Sequence, residues 1–229
     1  MRKVLPVIAL GAIACSGTHQ PQHPEPPHAE THPTGHHAHH HGFKNAAEWA
    51  KVFDDPARDE WQRPDEVLRA MELTPAMTVA DIGAGTGYFS VRLARAVSSG
   101  KVIGTDIEPD MVHYLNERAT REHLTNLSAA QGTASASGLG AASVDRILVV
   151  DVWHHLDDRV AYARDLATAL RPGGAVFVVD FKLSARQGPP PAMRLPPEKI
   201  VADLAAAGLT ARVSAVDLPE QYIVEARRP

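Results

Sequence analysis

A glycine-rich segment carries the most specific chemical signal in the chain. Residues 79–90 read VADIGAGTGYFS, an apolar run followed by three glycines and then by apolar positions at helical spacing. A strand that turns through glycines into a helix lets backbone N–H groups approach a bound ligand closely. The segment therefore predicts a site for a nucleotide-like cofactor at residues 83–87.

The spacing of the glycines distinguishes between two kinds of cofactor. A dinucleotide site has the pattern G-x-G-x-x-G, whereas Gly83, Gly85 and Gly87 follow G-x-G-x-G after an acidic residue, Asp81. A carboxylate would repel a pyrophosphate, but it would attract the cationic ammonium and sulfonium groups of S-adenosylmethionine (SAM). The pattern therefore favours SAM and argues against an NAD-dependent oxidoreductase.

A second acidic residue supports a nucleoside ligand. Asp106 ends the next apolar run, VIGTD, and lies 25 residues after Asp81. We expect its carboxylate to bind the ribose hydroxyls, and we expect Ile107 to pack against the adenine face. An acidic residue at this position could bind either SAM or a dinucleotide, so it does not distinguish between the two cofactors.

Apolar strand-like runs alternate with segments of helical periodicity from residue 78 onward. The predicted strands are 78–82, 102–106, 126–131, 146–152, 175–181, 210–217 and 221–226. Such alternation predicts an α/β domain with a doubly wound, mostly parallel sheet and helices on both faces. The last two strands are joined by only LPE, so we expect a hairpin and an antiparallel last strand.

The N-terminal residues divide into three segments of different composition. Residues 1–15 have a basic start, a short apolar run and the sequence AIAC, which predicts an export signal whose Cys15 is lipid-anchored in the bacterial envelope. A chance apolar stretch in a cytoplasmic protein is the alternative. Residues 16–42 contain nine of the 13 histidines and predict a disordered tether with possible metal affinity. Residues 43–77 predict a helical cap, which is either a lid or a cover for the sheet edge.

Four segments together resemble the class I SAM-dependent methyltransferases, which have a Rossmann-like seven-stranded sheet with an antiparallel last strand. The segments are VADIGAGTGYFS, VIGTDIEPDM, SVDRILVVDVWHHL and LRPGGAVFVVDF, in the order and spacing of that family. The resemblance extends from Val79 to the C-terminus and implies that the domain of residues 78–229 transfers a methyl group from SAM.

The resemblance also implies roles for individual residues. Asp81, Gly83, Gly85 and Gly87 would hold the methionine part of SAM, and Asp106 its ribose. The backbone near Val150 and Asp151 would line the inner wall of the site. The family often has an acidic residue for the adenine amine after the third strand, where this chain reads GTASAS. Thr133 could offer only a hydroxyl there.

The sequence DVWHHLDD follows the fourth predicted strand at the expected cleft. Methyl transfer is mainly a matter of positioning, although an acceptor that carries a proton also needs a base. Asp151, His154 and His155 are the candidates, and we expect His155 to face inward as general base or orienting group. In the alternative interpretation both histidines only cap or pack the helix start, and Asp151 is a solvated strand-end carboxylate.

Composition narrows the range of acceptors. The net charge is −4 and no basic stripe is present, so nucleic acid is not an expected partner. Cys15 is the only cysteine, which excludes a cysteine-based zinc site in the domain, and we predict no metal ligands there. A small-molecule acceptor is the expectation that remains.

Two functions of different classes are compatible with these patterns. The first is an enzyme that methylates a small molecule, as the glycine segment and Asp106 indicate. The second is a non-catalytic envelope lipoprotein that uses the fold as a binding module, with its histidine tract sequestering metal. Export would favour the second function, because SAM is made in the cytosol and would be scarce outside the inner membrane.

Overall fold

The computed structural model describes residues 45–229. The predicted export signal, the lipid anchor at Cys15 and the tether of residues 16–42 lie outside the described residues and stay predictions. Within residues 45–229 no helix is both long enough and apolar enough to cross a membrane.

The domain is a seven-stranded sheet with the order β3-β2-β1-β4-β5-β7-β6. The strands are β1 Thr78–Ile82, β2 Lys101–Asp106, β3 Leu127–Gln131, β4 Val144–Val150, β5 Leu170–Phe181, β6 Thr210–Val213 and β7 Gln221–Arg227. The helices are α1 Ala46–Phe53, α2 Arg58–Gln62, α3 Pro64–Ala70, α4 Tyr88–Ala96, α5 Pro109–Arg121, α6 Arg159–Ala169 and α7 Pro197–Ala206. The neighbouring pairs among β1 to β5 are parallel, and β7 is antiparallel to both β5 and β6. The predicted fold class, with an antiparallel last strand, is confirmed.

Apolar side chains alternate between the two faces of the sheet and form two buried clusters. One cluster joins Val79, Leu148 and Phe177 to helices α3, α4 and α5, and the other joins Ile147 and Val176 to helices α6 and α7. Because both faces are covered, the central strands are apolar at nearly every position. Both faces of the sheet are thus packed, and Asp81, Asp106 and Asp180 lie at or near the carboxyl ends of their strands.

Two connections differ from the prediction. The sequence RPGG lies within β5 as a bulge, since the register passes from Val144 opposite Leu170 to Arg146 opposite Ala175. Strand β6 ends at Val213, four residues earlier than predicted. The link to β7 is longer because Leu218 is buried in the core before the chain re-enters the sheet.

The predicted helical cap before β1 consists of three helices. Arg63 has a φ of 49°, and Pro64 begins α3 directly after it. The left-handed residue and the proline break the helix, because proline cannot donate a backbone hydrogen bond. The break separates α2 from α3, and α2 reaches the carboxyl ends of the strands.

Candidate active site at the carboxyl ends of the strands

The glycine loop follows β1 and adopts a backbone that ordinary residues avoid. Gly83, Gly85 and Gly87 have φ values of 67°, 54° and 95°. The loop is anchored to the neighbouring strand, because the amides of Gly83 and Ala84 donate to the carbonyl of Thr105 at 2.7 and 3.0 Å. A Cβ on Gly83 would lie 2.3 Å from Val152, so the loop is also tightly packed. The three glycines therefore shape the backbone of the predicted cofactor site.

Asp81 is a buried carboxylate at the start of this loop. Its side chain is 3% exposed, and the hydroxyl of Ser90 donates to Oδ2 at 2.6 Å. Burial raises the pKa of Asp81 to about 7. The hydrogen bond from Ser90 lowers this pKa in part, and the nearby Asp106 carboxylate raises it further. A cation beside Asp81 would restore its charged form, as the methionine ammonium of SAM would.

Asp106 ends β2 and connects the two loops at this edge. Its Oδ2 accepts from the amide of Gly85 at 2.8 Å, and its Oδ1 accepts from the amide of Glu108 at 3.0 Å. Burial raises its pKa, and these two backbone hydrogen bonds oppose the rise. A carboxylate has about four acceptor positions, so capacity remains for the ribose hydroxyls. Ile107, the predicted adenine contact, is 41% exposed.

Thr133 lies in a turn that uses its polar groups locally. Its hydroxyl accepts from the amide of Ala136 at 3.0 Å, and its amide donates to the carbonyl of Ala136 at 2.8 Å. Thr133 is exposed, whereas Val150, at the end of β4, is buried. The predicted contact of Thr133 with adenine therefore requires the turn to exchange one of these bonds, and it stays a prediction.

A cluster of polar side chains lies at the ends of β4 and β7. Asp151 follows β4 with a φ of 59°, and its Oδ2 accepts from the Gln62 amide at 3.3 Å. Gln221 donates to Oδ1, and the Arg58 guanidinium lies 3.7 Å from Oδ2. Burial raises the pKa of Asp151 to about 7, although the positive charge of Arg58 lowers this pKa in part. The cluster thus fixes both oxygens of the predicted catalytic carboxylate.

The two neighbouring histidines have different surroundings. The Nδ1 atom of His154 lies 2.9 Å from Oδ1 of Asp180, and these side chains are 2% and 0% exposed. The ring of His155 lies 4.2 Å from the ring of His154, centroid to centroid. The structure therefore places His154 against a buried carboxylate. The role predicted for His155 stays a prediction.

The helices before β1 lie over this edge of the sheet. A Cβ on Gly85 would lie 3.6 Å from the ring of Phe53, so the end of α1 covers the glycine loop. Arg58 packs over the ring of Tyr88 at 4.2 Å, and Gln62 bonds to both Asp151 and Gln221. We call α1 and α2 the cover helices. Their contacts place α1 and α2 over the carboxyl ends of the strands, and the choice between a lid and a fixed cover stays a prediction.

Sequence reasoning missed four residues of this site, namely Arg58, Gln62, Asp180 and Gln221. Asp180 carries a signal that could have found it, since it is acidic and lies near the end of a predicted strand, as Asp106 does. The other three carry no such signal. Arg58 and Gln62 belong to a polar helix that is ordinary in composition, and Gln221 begins an antiparallel strand whose position depends on the hairpin.

The residues at the glycine loop fit SAM. The buried carboxylate of Asp81 and the half-buried carboxylate of Asp106 match a cationic nucleoside, and the buried hydroxyl of Thr86 in the loop has no hydrogen-bond partner within residues 45–229. An unpaired buried donor is costly, so a bound ligand that accepts from it would be stabilised. In the same part of the chain no group of histidine, cysteine or acidic side chains is arranged to hold a metal ion.

Comparisons with known proteins agree with this geometry. Residues 79–174, less than half of the chain, match the family described as methyltransferase domain. An uncharacterized methyltransferase of Mycobacterium tuberculosis is 36% identical over 117 residues, which are 51% of this chain and 44% of that protein. The erythromycin 3''-O-methyltransferase of Saccharopolyspora erythraea is 24% identical over 132 residues, 55% of this chain and 43% of that protein. The chain thus spans less than half of the length of these curated relatives.

A solved structure matches over a larger share of the chain. A SAM-dependent methyltransferase from Aquifex aeolicus has a TM-score of 0.73 and 28% identity, and the match covers 81% of this chain and 99% of that one. The described residues therefore have the Rossmann-like fold of the class I SAM-dependent methyltransferases, and residues 79–174 match the methyltransferase-domain family.

Proposed function

We propose that this protein transfers a methyl group from SAM to a small-molecule acceptor. The observation that carries the proposal is a pair of carboxylates, the buried Asp81 and the half-buried Asp106, on either side of a glycine loop with positive φ values. SAM supplies an electrophilic methyl group on a sulfonium. In this proposal Asp81 stabilises the methionine ammonium, Asp106 binds the ribose, and the cover helices exclude water from the site.

The acceptor side of the site lies at the ends of β4, β5 and β7. Trp61 stacks on Phe181 with centroids 5.8 Å apart, and the polar cluster around Asp151 lies at the same edge of the sheet. An aromatic wall beside a few fixed polar groups is typical of sites for small organic ligands. The relatives named above include one that, by its name, methylates erythromycin, which is itself a small molecule. These features support a small organic acceptor over a macromolecule.

Titration calorimetry of the full chain with SAM and with NAD tests the cofactor part of the proposal. We expect SAM to bind and NAD not to bind, because the Asp81 carboxylate opposes a pyrophosphate. A screen of phenols, amines and thiols with isotope-labelled SAM then tests methyl transfer. Tighter binding of NAD than of SAM would refute the proposal. Binding of SAM without any methylated product would favour the binding-module alternative.

The affinity for SAM should rise with pH, because the cation competes with a proton for Asp81. With a pKa of about 7 the free carboxyl is mostly protonated at pH 5.5 and mostly ionised at pH 7.5. If the complex keeps Asp81 ionised, affinity increases by about 25-fold over this range. Calorimetry at several pH values measures the increase.

Two variants identify the group responsible for this pH dependence. Asp81→Asn should bind SAM more weakly at pH 7.5 and show a flatter pH dependence. Asp217→Asn is the matched control, since the Asp217 side chain is 89% exposed and should leave the profile unchanged. A wild-type affinity that is constant between pH 5.5 and 7.5 would show that Asp81 does not meet the cation.

A further inference from the structure

The pairing of His154 with Asp180 follows from the parallel arrangement of β4 and β5. Val150, the last residue of β4, lies opposite Val179 of β5, so the residues that follow each strand emerge side by side. His154 lies in the single helical turn Trp153–His155, and Asp180 is the penultimate residue of its strand. The amide of Phe181 also donates to Oδ1 of Asp180 at 2.8 Å, which fixes the carboxylate.

We propose that His154 is the general base that takes the proton from the methyl acceptor, and that Asp180 is the residue that positions its ring. This proposal rests on the proposed methyl transfer. An ionised carboxylate can only accept, so the ring nitrogen that faces Asp180 carries the proton. The Nε2 atom of His154 then keeps its lone pair, and within residues 45–229 no hydrogen bond engages it.

The second oxygen of Asp180 indicates what kind of acceptor fits. Asp180 is fully buried, and its Oδ2 atom has no hydrogen-bond partner within the described part of the chain. An unpaired buried acceptor is costly, and a ligand with a hydrogen-bond donor would relieve that cost. We therefore assign the acceptor to hydroxyl or amine compounds that bring a second donor for Oδ2 besides the proton that passes to His154, over carbon nucleophiles without such a donor.

The charged and titratable groups around the pair come from several elements. Asp151 approaches from the end of β4, Arg58 from α2 and Tyr222 from β7, and His155 adjoins the ring of His154. Asp151 is less suited to accept a proton from a substrate, because Gln62 and Gln221 donate to its two oxygens. His154 has one nitrogen committed to Asp180 and a second nitrogen that can exchange a proton.

The proposed step balances without a further reactant. The oxygen or nitrogen of the acceptor forms a bond to the methyl carbon, the bond between that carbon and sulfur breaks, and its electron pair stays on sulfur. The acceptor proton passes to Nε2 of His154, and the resulting imidazolium is stabilised by the Asp180 carboxylate. The proton then leaves to solvent when the site opens.

The tautomer of His154 tests the proposal without any acceptor. Long-range ¹H–¹⁵N NMR spectra of the full chain with ¹⁵N-labelled histidine distinguish the two neutral tautomers, and the His154→Asn difference spectrum assigns the signal. We expect the neutral ring to carry its proton on Nδ1, and the Asp180→Asn variant to lose that preference. A wild-type ring protonated mainly on Nε2 would overturn the proposal.

Kinetics tests the catalytic role. The side-chain amide of asparagine can still donate to Asp180 but cannot act as a base, so His154→Asn should lower kcat by about 10²- to 10⁴-fold for a phenol. Affinity for SAM should stay within about twofold of wild type, since the ring lies outside the glycine loop. An acceptor that is already ionised, such as 4-nitrophenolate, should lose much less rate.

Matched variants separate this proposal from its alternatives. His113→Ala is the control, because this histidine is 77% exposed on α5 and should leave kcat unchanged. Failure of the wild-type protein to bind SAM would refute the proposed function itself. SAM binding and turnover that persist unchanged in His154→Asn, or a larger loss in His155→Ala, would overturn only the assignment to His154.

Discussion

Replacing Asp106 by alanine is expected to weaken SAM binding by about ten- to a hundredfold. The carboxylate has two functions in the structure. It offers acceptor oxygens where the ribose is expected, and it holds the glycine loop through the amide of Gly85 at 2.8 Å. Hydrogen bonds to charged groups contribute about 1.5–3 kcal/mol each, which corresponds to this change in affinity. Calorimetry with SAM measures the loss, and urea unfolding verifies that the variant is folded.

Asp106→Asn separates the two functions of this carboxylate. The amide oxygen of asparagine can still accept from the amide of Gly85, but the side chain has lost its charge and one acceptor oxygen. We expect its affinity to lie between those of the wild type and Asp106→Ala. If folded Asp106→Ala binds SAM as tightly as the wild type does, the ribose contact lies elsewhere.

Replacing Gly87 by alanine is expected to lower the free energy of unfolding by about 2–5 kcal/mol. Its φ of 95° costs a residue with a Cβ about 1–2 kcal/mol, and that Cβ would lie 2.3 Å from Cδ1 of Leu115. Leu115 is 1% exposed and cannot move aside freely, so overpacking adds about 1–3 kcal/mol. Urea unfolding at constant pH measures the sum.

Gly173→Ala is the matched control for the backbone contribution. Its φ is 74°, but a Cβ at this position would have nothing within 4 Å. The difference between the two variants therefore reports the steric part alone. The double variant Gly87→Ala, Leu115→Ala should show a less-than-additive loss, because the shorter side chain removes the clash. Equal losses in Gly87→Ala and Gly173→Ala would mean that the loop relaxes around the new methyl group.

The sheet could be predicted from the sequence because its strands are nearly continuous apolar runs. Strand β1 has the predicted bounds, and β2 and β3 differ by one residue each at their start. Burial on both faces produces such runs, so local composition identifies them. The bulge in β5 and the end of β6 were missed because they depend on register and on Leu218, which packs across a long distance in sequence.

The candidate site could be predicted only where its residues directly follow one apolar strand in the sequence. Asp81, the glycines and Asp106 each follow an apolar run, so the pattern locates them. His154 is positioned by Asp180, which lies 26 residues later in the sequence. The two residues come close only because β4 pairs with β5. The single helical turn after β4 is also too short for a periodicity that would distinguish the two neighbouring histidines.

The attachment of the cover helices has a consequence for exchange of the spent cofactor. Asp59 pairs with Arg92 at 2.9 Å and Asp54 with Arg118 at 2.8 Å, so these two helices are held to α4 and α5 by ionic contacts. The Asp59 side chain is 49% exposed, and dissolved salt screens such a pair. If the departure of S-adenosylhomocysteine limits turnover, raising the ionic strength should shorten its residence time and speed the reaction. The opposite response, a slower reaction at higher ionic strength, is expected where long-range attraction of an oppositely charged substrate limits the rate.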